Sequence, residues 1–211
     1  MYVTVNGAVR LWIGVMKVKH KKMDSMLVGG LLVNVFYSAT YPFIHKQVIS
    51  VATDNFIAAN QIINCLGIVI FGAIWNKFSD RLFRFYPLFC IFESVLGIAT
   101  TTFAVTTNQI IAYYILDTLV LAIITRNIIC GSIKLRVIRY KTENEREKFD
   151  NNFNSVCSIG ILIGSVIALF LNLNFAAMLW TATFGNMIDN AIYINIYYKE
   201  TRINHEKEYK N

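Results

Sequence analysis

Charge is scarce in this 211-residue chain: 16% of its residues are charged, against about a quarter in a soluble domain, and 55% are hydrophobic. So little charge cannot cover a water-exposed globule, and so much apolar surface is incompatible with a disordered chain. Proline is confined to Pro42 and Pro87, so long helices meet few breaks. Cys65, Cys90, Cys130 and Cys157 each sit inside an apolar run with no CxxC spacing, which argues against disulfides or a zinc site and predicts buried free thiols. The apolar runs lack period-two alternation, which excludes barrel strands. What is left is an all-α, polytopic membrane protein, long enough for about six transmembrane helices of ~20 residues with short connections.

The spans are predicted in order. Helix 1 covers about Ser25 to Ser50, with Pro42 kinking its far end, and helix 2 about Asn55 to Asn76. A basic-rich loop, Asn76 to Phe85, leads to helix 3, about Phe85 to Val105, with Pro87 in its first turn. Helix 4 covers about Gln109 to Ile133, and the one extended polar segment follows, Lys134 to Asn152. Helices 5 (about Phe153 to Leu171) and 6 (about Phe175 to Tyr198) are joined by the turn Asn172-Leu173-Asn174. The organisation is therefore an N-terminal basic segment (1–24), a six-helix bundle (25–198) and a polar tail (199–211). Residues 1–22 place their lysines after the apolar patch, the reverse of a signal peptide. They read either as a basic stretch lying on the membrane surface or as residues preceding a true start at Met23.

Lysine and arginine set the orientation. With a cytoplasmic N-terminus, 18 of the 20 fall on the cytoplasmic side, leaving Lys46 near the outside and Arg126 within helix 4. The opposite turns at 106–108 and 172–174 carry none, which puts both termini in the cytoplasm of a cell-membrane protein. The same distribution accounts for the net charge of +7 without nucleic acid as a partner.

The loop between helices 2 and 3 carries a motif. It reads NKFSDRLFRF, in which Asp80, Arg81 and Arg84 fit the pattern G-x-x-x-D-R-x-G-R-R, Asn76 and Phe83 stand at the glycine positions, and Phe85 replaces the last basic residue. In helix 4, Arg126 is followed five residues later by Gly131; the next connection holds Glu143, Glu145 and Arg146; helix 5 has Gly160 and Gly164 at small-xxx-small spacing. Together these resemble the N-terminal six-helix half of major facilitator superfamily transporters. Ser165 stands where the antiporter subset has a proline, so antiport is not supported.

The resemblance implies two inverted three-helix repeats, a substrate cavity shared with a second six-helix half, and a cytoplasmic latch at the loop motif. An Asp80 carboxylate can meet helix N–H groups, and Arg81 and Arg84 can pair with Glu143, Glu145 or Glu147. Arginines that only enforce topology are the plainer alternative.

Five residues inside the spans stand apart: Asn34, Glu93, Asp117, Arg126 and Asp189. A mid-bilayer charge costs ~2.5–3.5 kcal/mol on insertion scales, so such groups face a cavity or a partner. Glu93, Arg126 and Asp189 lie ~10–14 Å from the cytoplasmic helix ends, which predicts that Arg126 balances one of the two acids. Asp117, nine residues before Arg126 and half a turn round a straight helix, is expected apart from them in the outer leaflet. Asn34, Tyr37 and Tyr41, and likewise Asn60, Gln61 and Asn64, form polar stripes that suit either a cavity wall or a helix-packing face.

No nucleophile–base pair, metal-ligand cluster or phosphate-binding loop is apparent, and His20, His45 and His205 are scattered, so neither enzyme nor cofactor is expected. The expected function is transport of a small solute by alternating access, as one half of a transporter completed by a homodimer partner or a separate chain. A non-transporting membrane scaffold, or an inactive fragment of a transporter, is the alternative.

Overall fold

A computed structural model of the protein describes residues 24–171 and 173–208. Within them the chain forms six long helices: α1 (Ser25–Val51), α2 (Asp54–Arg84), α3 (Tyr86–Thr107), α4 (Ile110–Arg139), α5 (Glu143–Phe170) and α6 (Phe175–Glu208). The expected basic segment at 1–22, Asn172 of the expected α5–α6 turn and residues 209–211 lie outside the described residues. Helices α1 to α5 are each long and apolar enough to cross a membrane; α6 interrupts its apolar run with Asn186, Asp189 and Asn190. Leu169 and Phe170 are more than four-fifths exposed, and Val69, Leu162, Leu88 and Phe92 more than half. Apolar faces this extensive are stable against hydrocarbon and an aggregation liability in water. The chain is a multi-pass α-helical membrane protein.

The connections follow from capping chemistry. Asp24 caps α1 by accepting from the Met26 N–H at 2.9 Å, and Thr53 caps α2 from the Phe56 N–H at 3.3 Å. Pro87 occupies the first turn of α3, where a missing N–H is harmless. Asn108 ends α3 in the left-handed region (φ 53°), a position that Asn tolerates. Thr142 and Glu145 form a reciprocal capping box at the start of α5.

Two expected connections and the expected tail are largely helical in the structure. Asn76 to Phe85 is not a loop: α2 continues to Arg84 with a kink at Phe78 (φ −123°, ψ 24°), and the chain reverses at Phe85. With Asn76 and Phe83 at the motif's glycine positions, no glycine breaks the helix before the reversal at Phe85. The polar segment 134–152 is likewise mostly helical, because α4 runs to Arg139 and the Thr142 capping box restarts the chain at Glu143. Helix α6 extends ten residues past Tyr198 into the expected tail. Pro42 sits inside α1 without ending it.

Helix α1 packs between α5 and α6, α4 packs between α2 and α3, α1 meets α4, and α3 and α6 close the far side. Exchanging α1-α2-α3 for α4-α5-α6 maps these contacts onto themselves: α1–α5 onto α4–α2, α1–α6 onto α4–α3, and α3–α6 onto itself. Helices α1 and α4 thus hold equivalent places in the exchange.

Two apolar clusters close the bundle. One, at the end rich in lysine and arginine (the basic end), gathers Met26, Tyr86, Cys90, Leu135, Phe149 and Ile196; the other, at the opposite end, gathers Val48, Ala104, Ile110, Tyr113, Met178 and Leu179. Polar side chains collect between them.

Candidate functional site

A cavity of about 300 Å³ opens between α1, α2, α4 and α6. Tyr37 and Tyr41 enter it from α1, Asn60, Gln61 and Asn64 from α2, Tyr113, Tyr114, Asp117 and Thr118 from α4, and Asn186 from α6. Both tyrosine and amide stripes expected from the sequence thus border one space, apart from Asn34. That residue turns its amide back to the Gly30 carbonyl at 2.7 Å and packs its Cβ against Gly160 of α5, so it belongs to the α1–α5 seam. Tyr37 and Tyr41 stack with ring centroids 5.0 Å apart. Their exposure, with that of Gln61, marks the rim, while Asn60, Tyr113 and Thr118 are buried. Asn60 donates its amide to the Thr118 hydroxyl, tying α2 to α4 at the cavity floor.

A chamber of about 30 Å³, roomy enough for a water molecule, lies deeper and shares Tyr113, Asp117 and Asn186 with the cavity. Glu93 lines it from α3. The Glu93 carboxylate accepts from the Thr125 hydroxyl and from the Asn190 amide (2.7 Å), and Asn190 also donates to Ser94 Oγ at 3.2 Å. Nearby, the buried hydroxyls of Thr101 and Thr183 share a 2.6 Å hydrogen bond across α3 and α6. Neutral donors thus hold Glu93, with no counter-cation paired to it among the described residues.

Two expectations about these charges are overturned. Arg126 pairs with neither acid: no ion pair reaches it among the described residues, its buried Nε has no hydrogen-bond partner, and its guanidinium lies against Gly72 of α2. Asp117, placed apart on the reckoning of a straight helix, shares the chamber with Glu93 and Thr125. The cause is a π turn at Leu121–Thr125. Such a turn absorbs about one extra residue, or about 100° of azimuth, which brings Thr125 within about 20° of Asp117's face and leaves Arg126 about 80° away. Asp189 lies against Gly29 of α1, with Oδ1 buried and without a hydrogen-bond partner.

The glycines sit at close approaches. A Cβ on Gly160 would come within 2.7 Å of the Leu31 carbonyl oxygen, and one on Gly164 would overlap that of Val35. One on Gly131 would run into the Tyr86 ring.

At the basic end, Asp80 pairs with Lys134 of α4, while Arg81 and Arg84 make no ion pair with Glu143, Glu145 or Glu147 among the described residues. Glu145 is committed to its capping box, and Arg146 donates to the carbonyls of Thr142 (3.4 Å) and Lys141 (3.5 Å). A second ionic group, which sequence reasoning missed, ties four helices together. Arg139 reaches Asp24 at 3.0 Å and Glu200 at 3.7 Å, Tyr140 donates its hydroxyl to Asp24, and Arg136 meets Asp150 at 3.3 Å while lying 4.5 Å over the Phe153 ring. Burial and the hydrogen bond to Asp24 raise the Tyr140 phenol above its ordinary pKa. Of the cysteines, Cys90 and Cys130 are buried and Cys157 half-buried, but Cys65 is exposed on α2, against expectation, because that helix packs along one side only.

The chain matches no described protein family and no curated protein, and its fold matches no solved structure.

Proposed function

We propose that this chain carries a small solute across the cell membrane by alternating access, as one six-helix half of a facilitator-type transporter. The observation that supports this reading most is the exchange symmetry of the helix contacts, with a polar cavity bordered by the two equivalent helices α1 and α4. Inverted repeats about a midplane site give a bundle two related conformations, each open to one side. On this reading all six helices span, both termini face the cytoplasm with the basic ends, and the cavity opens toward the outside. The Asp80–Lys134 pair and the Arg139 group sit at the cytoplasmic end, where contacts that form in one conformation and break in the other would latch it.

A half-transporter needs a second half. Native mass spectrometry of the full chain in nanodiscs tests this first. A discrete dimer or a tight hetero-complex is the expected result. A stable monomer would overturn the reading and leave a membrane scaffold or an inactive fragment in its place.

A further inference from the structure

We infer that the cavity between α1, α2, α4 and α6 binds a small organic cation, with Asp117 as its anionic anchor and tyrosine rings as its walls. The inference rests on the transport reading only in making that cation the cargo.

Charge selects the class. Asp117 is the one ionisable acid or base among the residues bordering the cavity apart from tyrosine; no lysine, arginine or histidine lines it. His45 stacks on Tyr41 at 5.5 Å, one turn toward the helix end, and does not border the space. Among the described residues no side chain is hydrogen-bonded or ion-paired to the Asp117 carboxylate, and Glu93 adds a second acid through the chamber the two share. An anion entering here would meet two carboxylates and no cation. A neutral polyol would leave Asp117 without a charge partner in a low-dielectric site, a costly arrangement.

Aromatic walls narrow the class. Tyr37, Tyr41, Tyr113 and Tyr114 line the same cavity as the acid, and tyrosine faces attract ammonium groups within about 6 Å through the ring quadrupole. Asn60 is committed to Thr118, so it does not compete for the carboxylate. A metal ion fits poorly: hard cations take about six oxygen ligands, and no group of three or more His, Cys, Asp or Glu suited to a metal occurs among the described residues. About 300 Å³ accommodates a compact amine at the low end of small-molecule sites.

The test is titration calorimetry on the full chain in nanodiscs, with empty nanodiscs subtracted. The probes are phenethylammonium, its uncharged counterpart phenethyl alcohol, and phenylacetate. Saturable binding of the cation is expected, with the alcohol at least tenfold weaker and the anion without binding. Asp117→Asn should weaken the cation at least tenfold, whereas Glu147→Gln, exposed near the start of α5 and in no ion pair among the described residues, should bind like the parent. Should Asp117→Asn not fold, Tyr41→Ala at the rim serves instead, with a several-fold loss expected. Equal binding of the alcohol, parent affinity in the Asp117→Asn or Tyr41→Ala protein, or no saturable cation binding would each overturn the inference. The two readings separate in liposomes: cation binding without chain-dependent uptake sinks the transport reading alone. Uptake of an anion or neutral solute without cation binding sinks this inference alone.

Discussion

Gly164→Ala is the sharpest probe of the fold, because α5 holds to the bundle chiefly through α1. A methyl group at residue 164 would overlap the Val35 carbonyl oxygen and lie 2.9 Å from Ser38 Cβ and 3.1 Å from the Ala39 nitrogen. All three are backbone or Cβ atoms, so no rotamer change relieves the clash; α1 and α5 must move apart. Overpacking of this kind costs about 1–3 kcal/mol, offset by the roughly 0.5–1 kcal/mol that alanine gains over glycine in a helix. The net expectation is destabilisation of up to about 2 kcal/mol. Gly160→Ala meets the Leu31 carbonyl oxygen at 2.7 Å one turn earlier, so the same helix displacement relieves both, and the double variant should cost less than the sum. Gly97→Ala is the control: its nearest neighbour is Thr183 Cγ2 at 3.6 Å, an ordinary contact, so it should be neutral or stabilising. Equilibrium unfolding in mixed micelles, followed by helical circular dichroism, reads all four. Equal stabilities for the Gly164→Ala and Gly97→Ala proteins would refute a backbone-tight α1–α5 seam.

Arg126→Gln and Glu93→Gln should act independently, adding within about 0.5 kcal/mol in a double-mutant cycle; a larger coupling would restore the pairing that the structure lacks. Arg139→Gln leaves Asp24 and Glu200 without their guanidinium, both no more than a fifth exposed, and should cost about 1.5–3 kcal/mol in the same unfolding assay. Lys134→Gln should leave stability unchanged, since its partner Asp80 is almost fully exposed, so a measurable loss would contradict a solvent-screened pair. Tyr140 yields a prediction with a defined sign. Its folded-state pKa lies above the ordinary 10, so above about pH 10 the unfolded chain loses the phenol proton before the folded one does and stability falls with rising pH. Tyr140→Phe should flatten that part of the profile, and an identical slope would rule out the Asp24 contact as its source.

Much of the fold was legible in the sequence because bilayer thickness sets span length. The starts of α1, α2, α3, α4 and α6 lie within a residue of expectation, whereas α5 begins at Glu143, well before the expected Phe153, because its polar first turns read as a loop. Asn144 to Asn152 is hydrophilic, yet Thr142 and Glu145 cap a helix through it, and the sequence signal (Thr followed three residues later by Glu) was present and unused. The loop motif misled in the same way, since its helix-breaking glycines are absent here. Gly160, Gly164 and Gly131 could be singled out by small-residue spacing, but which helix each one meets depends on packing.

The arrangement of the charges was less legible, and for a definite reason. Depth follows from residue count, because every helix rises about 1.5 Å per residue, whereas azimuth accumulates at about 100° per residue and any irregularity shifts everything beyond it. Depth correctly brought Glu93 and Arg126 to one level, but the π turn at Leu121–Thr125 rotated Arg126 toward Gly72 and delivered Thr125 to Glu93 instead. No residue in that apolar segment announces the turn. Its effect is to assemble an acidic line, Asp117 to Glu93, whose polar contacts are all with neutral groups. An uninterrupted helix would carry Thr125 about 80° off this line and leave Glu93 one donor short. Deleting one residue within 121–124 should therefore disrupt the chamber far more than a deletion in the α3–α4 turn, even though both shorten the chain equally. Protection of a cysteine placed at Thr183 against thiol reagents would report the difference, and equal reactivity in the two deletions would remove the π turn from any role in building the site.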